Sequence, residues 1–325
     1  MIKHLIILET NGYLHYRNGM VVFSKNKEIL MEVPLRKLKT IQILSNRISI
    51  SSYLIYECSK RSIDLFFMSY YNPYIIMISN LNHHATVRLR KKQLEFIEKP
   101  ECFLVVKEIL IGKIKNQRSL LLYFGKSSKN EQLKIVEKEL SKIIQQIQNK
   151  RYFRNWQQEL LGLEGKAAKI YWQYLKNIYF RDFQFPGRIP RISSDIINSC
   201  LNLGYTILLN MIWRAVSIAG LEPYAGFFHS ERSGKPSLVL DLMEEYRAWV
   251  VDRNVIKLRN ELKNLDTLKE STRKKYIAYI LNTFSTEFSY NKKRYKLETI
   301  IQKQIYRLCG TIVDNKPYKN YIFRW

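Results

Sequence analysis

The hydrophobic period of the chain changes once, near residue 86, and this change restricts the fold more than any other feature. Before it lie short apolar segments, Leu5–Leu8, Met20–Phe23, Ile29–Val33 and Ile63–Met68, punctuated by turn residues. Segments of this length build strands. Asn11-Gly12 and Asn18-Gly19 tolerate positive φ and predict tight hairpin connections between the early strands. One stretch, Ser51–Lys60, carries Leu54, Ile55 and Cys58 at helical spacing behind a run of capping serines, so a single helix interrupts the strands. From about Thr86 the period becomes 3.6 and prolines are sparse until Pro186. Leu133, Val136, Leu140, Ile143, Ile144 and Ile147 recur at three- and four-residue steps, with lysine and glutamate opposite, which predicts an amphipathic helix. Comparable spacing predicts helices over 103–123, 155–177, 196–220, 241–260, 272–285 and 297–309. The expected class is α+β: a small, mostly antiparallel β-strand domain over residues 1–85, then a larger all-α domain over 86–325. The polar segment Asn80–Ala85 separates them, and no internal repeat or low-complexity tract is present.

With 325 residues, 46% of them hydrophobic, the chain is long enough to bury a core in each domain without disulfide staples. Cys58, Cys102, Cys200 and Cys309 form no CxxC pair and have no histidine close by, so they read as buried thiols. The charge is one-sided: 54 Lys plus Arg against 28 Asp plus Glu leave +26. Such a surface attracts polyanions, and nucleic acid is their commonest form, although lysine enrichment also accompanies a hot habitat. There is no signal-peptide pattern at Met1 and no uninterrupted apolar run of about 18 residues, so a cytoplasmic chain with no membrane association is expected.

The segment from Gly226 to Arg247 joins a histidine to a carboxylate-rich helix. Gly234, Pro236 and Ser237 turn the chain after His229; the spacing of Leu238, Leu242, Tyr246 and Trp249 then predicts a helix. Asp241 and Glu244 are three residues apart, about 300° of helical rotation, so both project to one face within reach of a folded-back His229. One imidazole with carboxylate oxygens suits Mg²⁺ or Mn²⁺. Spacing alone favours a solvated face of Asp241, Glu244 and Glu245, with His229 as a hydrogen-bonded loop residue. His83 and His84 have no third ligand in view and read as linker.

The pattern of a glycine, two bulky residues and His229, then Ser237-Leu238, Asp241-Leu242 and Glu244 before Arg247, resembles the signature of the Cas-one family, the integrase of CRISPR adaptation. The resemblance extends upstream in order. Asn198–Pro223, with Gly204-Tyr205 and Ala219-Gly220-Leu221, is similar to the family's helix before the histidine. Leu161–Ala168 resembles its other acidic motif and Gly112–Gln117 its early helical motif. These matches cover roughly residues 88–255. The first domain departs in detail: where the family has glycines, this chain has Ser45 and Asn46, and Tyr71 and Asn72; Asn adopts the same left-handed turn.

The resemblance implies that Glu164, His229 and Glu244 are catalytic metal ligands for Mg²⁺ or Mn²⁺, with Asp241 as a supporting or alternate ligand and Glu245 a bystander. It also implies a dimer formed through the first domain, a Cas-two dimer as partner, and a double-stranded prespacer. The 3′-hydroxyls of that prespacer attack a phosphodiester of the CRISPR repeat. The basic run Arg88, Arg90, Lys91 and Lys92, with Gln93 beside it, matches an arginine and glutamine of the family. Arg188, Arg191 and Arg247 are candidate phosphate contacts. Two other readings remain: a casposon-type integrase, and a catalytically silent nucleic-acid-binding subunit.

Overall fold

A computed structural model describes residues 4–45, 47–69, 72–78, 86–126, 131–189, 195–229, 234–263 and 265–324. The chain divides into two compact units, Met1–His84 and Ala85–Trp325. The first holds β1 (His4–Ile7), β2 (Gly12–Arg17), β3 (Met20–Lys25), β4 (Glu28–Pro34), β5 (Thr40–Ile43), β6 (Ile48–Ile50), α1 (Ser52–Lys60), β7 (Asp64–Ser69) and β8 (Asn72–Ile78). They form two four-stranded sheets, ordered β1-β5-β7-β8 and β4-β3-β2-β6. Both sheets are mixed: β2-β3, β3-β4 and β7-β8 are antiparallel, while β1-β5, β5-β7 and β2-β6 are parallel. Leu5, Ile7, Ile41 and Leu65 of one sheet and Leu14, Val21 and Phe23 of the other share a core with Leu54 and Cys58 of α1. The helix starts where expected, with the Ser51 hydroxyl accepting from Leu54 N at 3.1 Å.

The two Asn-Gly pairs do different work. Asn18 (φ 47°) and Gly19 (φ 80°) close the β2-β3 hairpin. Asn11, also left-handed at φ 59°, instead carries the chain from one sheet to the other. Gly12 is needed there for space, since a Cβ would lie 2.2 Å from the Phe23 ring. The expected turn at Asn46 and Tyr71, and the linker with His83 and His84, lie outside the described residues.

The second unit contains α2 (Thr86–Ile97), α3 (Pro100–Gly125), α4 (Glu131–Asn149), α5 (Trp156–Ile178), α6 (Ile196–Ala219), α7 (Ser237–Met243), a π turn (Ala248–Asp252), α8 (Arg253–Leu262), α9 (Glu270–Ser285) and α10 (Leu297–Asp314). Two departures from the expected all-helical pattern stand out. A hairpin of β9 (Glu287–Tyr290) and β10 (Lys293–Lys296) turns through left-handed Asn291 and Lys292. The helix expected over 241–260 is broken into α7, the π turn and α8.

The centre of this unit is α6, started by the Asp195 carboxylate on Asn198 N and stopped by Gly220 at φ 80°. It is long and apolar enough to cross a membrane by composition, but most of it is buried inside the protein. Gly204 lets neighbours close on it, since a Cβ would lie 2.3 Å from Tyr276 Oη and 2.6 Å from Val251 Cγ1. After α10 the chain runs without regular structure, yet Tyr318, Tyr321 and Phe323 are buried.

Candidate metal centre

The site begins with a loop folded onto a helix. Gly226 lies against the start of α7, where a Cβ would be 2.5 Å from Ser237 Cβ. Gln93 of α2, fully buried, holds the preceding turn: its Oε1 accepts from Glu222 N at 2.8 Å, and its Nε2 donates to Glu222 O and Ala225 O at 3.0 and 2.9 Å. The loop then delivers consecutive backbone N–H groups to Asp241. Phe227 N and Phe228 N donate to Oδ2 at 2.7 and 3.0 Å, and His229 N to Oδ1 at 3.2 Å. The His229 ring also meets Asp241 Oδ1 through Nδ1, at 2.5 Å. Both oxygens of this buried carboxylate are thus committed, and Nε2 is the donor atom the imidazole has left. A carboxylate on the far nitrogen of a ligating histidine fixes its tautomer and orientation.

Three side chains converge from separate places. Glu164 of α5, His229 of the loop and Glu244 just after α7 each place a ligand atom within 4.8 Å of the others. Lys113 of α3 bridges the two carboxylates, pairing with Glu164 and, at 2.8 Å, with Glu244 Oε2. Arg247 Nε lies 2.9 Å from Glu244 Oε1. The site is largely withdrawn from water, with side-chain exposures of 4% for Glu244, 12% for Lys113 and 13% for Glu164.

The electrostatics follow from this crowding. Burial works against the charge of Glu244, but Arg247, Lys113 and His229 outweigh it and hold the carboxyl well below its usual range. Burial likewise opposes a charged Lys113, and Glu244 and Glu164 reverse the balance, keeping the ammonium protonated above the usual lysine range. For His229 burial is again the largest influence and lowers the pKa; the Asp241 bond and the acidic neighbours overcome it and the net shift is upward. Glu244 Oε2 is buried, with the Lys113 ammonium 2.8 Å away as its ion-pair partner. Two carboxylates and an imidazole converging within 4.8 Å are a donor set fitted to a hard divalent cation.

The other expected residues are placed as follows. Asp241 stands behind the imidazole, with both oxygens bonded to the loop that carries His229. Glu245 stands outside the three-residue cluster but does not face solvent: it is 1% exposed and bonded to Tyr318 Oη and Tyr321 N, both at 2.9 Å. Arg188 and Arg247 come together, their guanidinium carbons 5.0 and 4.9 Å from the Tyr205 ring centre. Arg88, Arg90 and Lys91 are exposed on α2, with Arg90 3.6 Å from Glu222. Lys92 donates to Val313 O at 3.1 Å. Arg191 lies outside the described residues.

Lys113 was not among the expected site residues. Its one signal is a lysine in a run of buried apolar residues, Ile109 to Ile114, where an unpaired charge would be expensive. Asp252 was missed too; it accepts from Tyr171 Oη and Tyr205 Oη beneath the two arginines.

The class defined by this fold and site is a β-domain followed by a helical domain with a Glu-His-Glu cluster suited to a divalent cation. The family model for "CRISPR associated protein Cas1" matches residues 5–283. A relative from Francisella tularensis subsp. novicida, "CRISPR-associated endonuclease Cas1 1", is 43% identical over 99% of this chain and 100% of its own. The chain therefore belongs to the Cas1 family of CRISPR-associated proteins. Among solved structures, a "Cas6-RT-Cas1--Cas2 complex" matches at TM-score 0.81 and 20% identity over 98% of this chain and 36% of the other. A "Casposase bound to integration product" also matches at 0.81 and 20%, over 98% and 93%. At that identity the two likenesses speak to fold alone.

Proposed function

We propose that this protein is a metal-dependent DNA endonuclease and integrase that joins prespacer DNA to a CRISPR array by 3′-hydroxyl attack on a phosphodiester. The observation that carries the reading is the convergence of Glu164, His229 and Glu244. Mg²⁺ or Mn²⁺ bound by these three would polarise the scissile phosphate and lower the charge cost of the attacking and leaving oxygens. Asp241 holds the imidazole with Nε2 free to ligate. Lys113 keeps two like charges side by side at tolerable cost. Arg247 and Arg188, which share the Tyr205 ring beside the cluster, are the proposed phosphate contacts.

The 43% identity to a CRISPR-associated endonuclease supports this role over that of a casposon integrase, and the complete ligand set argues against a silent subunit. Membership of the Cas1 family supports a Cas2 dimer as partner within this reading. Self-association through the first unit is supported by an aromatic surface: Tyr53 and Tyr56 are 56% and 61% exposed with ring centres 6.4 Å apart. Sedimentation should show a dimer that Tyr53→Asp with Tyr56→Asp converts to monomer; an unchanged dimer would place the interface elsewhere.

The chemistry is tested by strand transfer of a labelled duplex into a repeat-containing target. It should require Mg²⁺ or Mn²⁺. His229→Ala and Glu244→Ala should each lower it by at least about 100-fold while DNA affinity stays within about threefold, because phosphate contacts supply most of the affinity. Undiminished transfer in either variant overturns the assignment.

A further inference from the structure

Glu244 does not sit on a continuous helix. α7 ends at Met243; the next bonds, Glu244 N to Asp241 O at 3.3 Å and Tyr246 N to Met243 O at 3.0 Å, are three-residue turns, and a π turn follows. Such irregularities concentrate at functional sites and need outside support. Here the support comes from α3 and the segment after α10. Buried Asn116 donates from Nδ2 to both Glu245 O and Tyr321 O at 2.8 Å and accepts at Oδ1 from Phe323 N at 2.9 Å. The Glu245 carboxylate is held from the other side by Tyr318 Oη and Tyr321 N, each at 2.9 Å, and by Gln304 Nε2 at 3.4 Å. Gly112, next to Lys113, admits this strap: a Cβ there would be 2.8 Å from Asn320 Cβ and 3.2 Å from Glu245 Cγ. The Phe323 ring stacks on Trp249 of the π turn at 5.3 Å and 9°.

We propose that residues 318–323 form a positioning strap for the metal centre, setting the direction of Glu244 through Glu245 and Asn116. The inference rests on the reading of Glu244 as a metal ligand. Glu245 and Asn116 are positioning residues in this proposal, each acting by fixing the backbone on which the ligand stands. Displacing a supporting group of this kind typically costs 10–100-fold in metal affinity.

The test is Mn²⁺ binding by the full-length chain, followed by electron paramagnetic resonance. Glu245→Ala and Asn116→Ala should each raise the Mn²⁺ Kd about tenfold or more. Glu245→Gln, which keeps the shape and can keep all three bonds, should stay within about threefold of the unaltered chain. Ile277→Ala, which removes a buried side chain of α9 that belongs to neither the strap nor the cluster, should leave the Kd unchanged. The proposal is overturned if the alanine variants bind as the unaltered chain does, if Ile277→Ala weakens binding equally, or if Glu245→Gln is as weak as Glu245→Ala, which would make the effect one of charge. Should the alanine variants not fold, Tyr318→Phe removes one hydroxyl alone, and an unchanged Kd there overturns the proposal. An unaltered chain that binds no Mn²⁺ overturns the metal reading and the strap with it; binding that ignores the strap variants overturns the strap alone.

Discussion

Asp252 is 2% exposed, takes hydroxyl bonds from Tyr171 and Tyr205, and has Arg247 and Arg188 nearby. Burial nevertheless dominates and pushes its carboxyl up to about 6, the hydroxyls and arginines recovering only part of the loss. A folded-state pKa above the ordinary carboxylate value means that the native chain keeps a proton the unfolded chain has already shed. Stability should therefore fall as pH rises from about 4 to about 6 and level off above, by something on the order of 2–3 kcal/mol. Asp252→Asn should flatten that part of the profile and melt higher than the unaltered chain at pH about 8. Thermal melts across that range check it; parallel profiles would show that Asp252 is ionised throughout. Nothing in the local sequence marks Asp252, because its partners stand 47 and 81 residues away.

At the scale of single elements, glycines separate what a helix needs for its own packing from what it leaves open. Gly204 of α6 is enclosed, whereas a Cβ at Gly165, next to Glu164 on α5, would meet nothing within 4 Å. Gly165→Ala should therefore stabilise the isolated chain by about 0.5–1 kcal/mol, read as a higher Tm. Gly204→Ala should destabilise it by about 1–3 kcal/mol through overpacking. A lower Tm for Gly165→Ala would mean that this face of α5 is already covered. The strongly periodic helices, α3 to α6 and α10, were legible in the sequence, as was the Ser51 cap of α1. The β9-β10 hairpin was not, since Glu287–Lys296 is polar and only four residues long in each strand. Nor was the break after α7: its apolar spacing continues unbroken through Tyr246 and Trp249, so nothing local marks the irregular backbone.

For the whole molecule, +26 of net charge has consequences only where it meets phosphate. Each phosphate neutralised releases counterions, so duplex affinity should fall steeply with salt. Arg88 and Lys91, exposed on α2, are the clearest test of the basic run. Replacing both by alanine should lower the log-log salt slope by about two if each contacts a phosphate. An unaltered slope would make that run ordinary solvation and leave DNA to the Arg188 and Arg247 side of the unit.

The sequence by itself determined the two-part α+β architecture, because hydrophobic period is a local property that each segment carries with it. It also determined, through ordered motifs resembling one family, that Glu164, His229 and Glu244 belong together. What it left undecided was each residue's environment. Burial and pairing depend on neighbours far along the chain, so only the tertiary structure could give Asp241 to the loop amides, set Lys113 between two carboxylates, and turn Glu245 away from solvent. Five residues of apolar sequence around Lys113 look like any core helix until α5 and Glu244 close over them; the cost of burying an unpaired ammonium is met by residues 51 and 131 positions away.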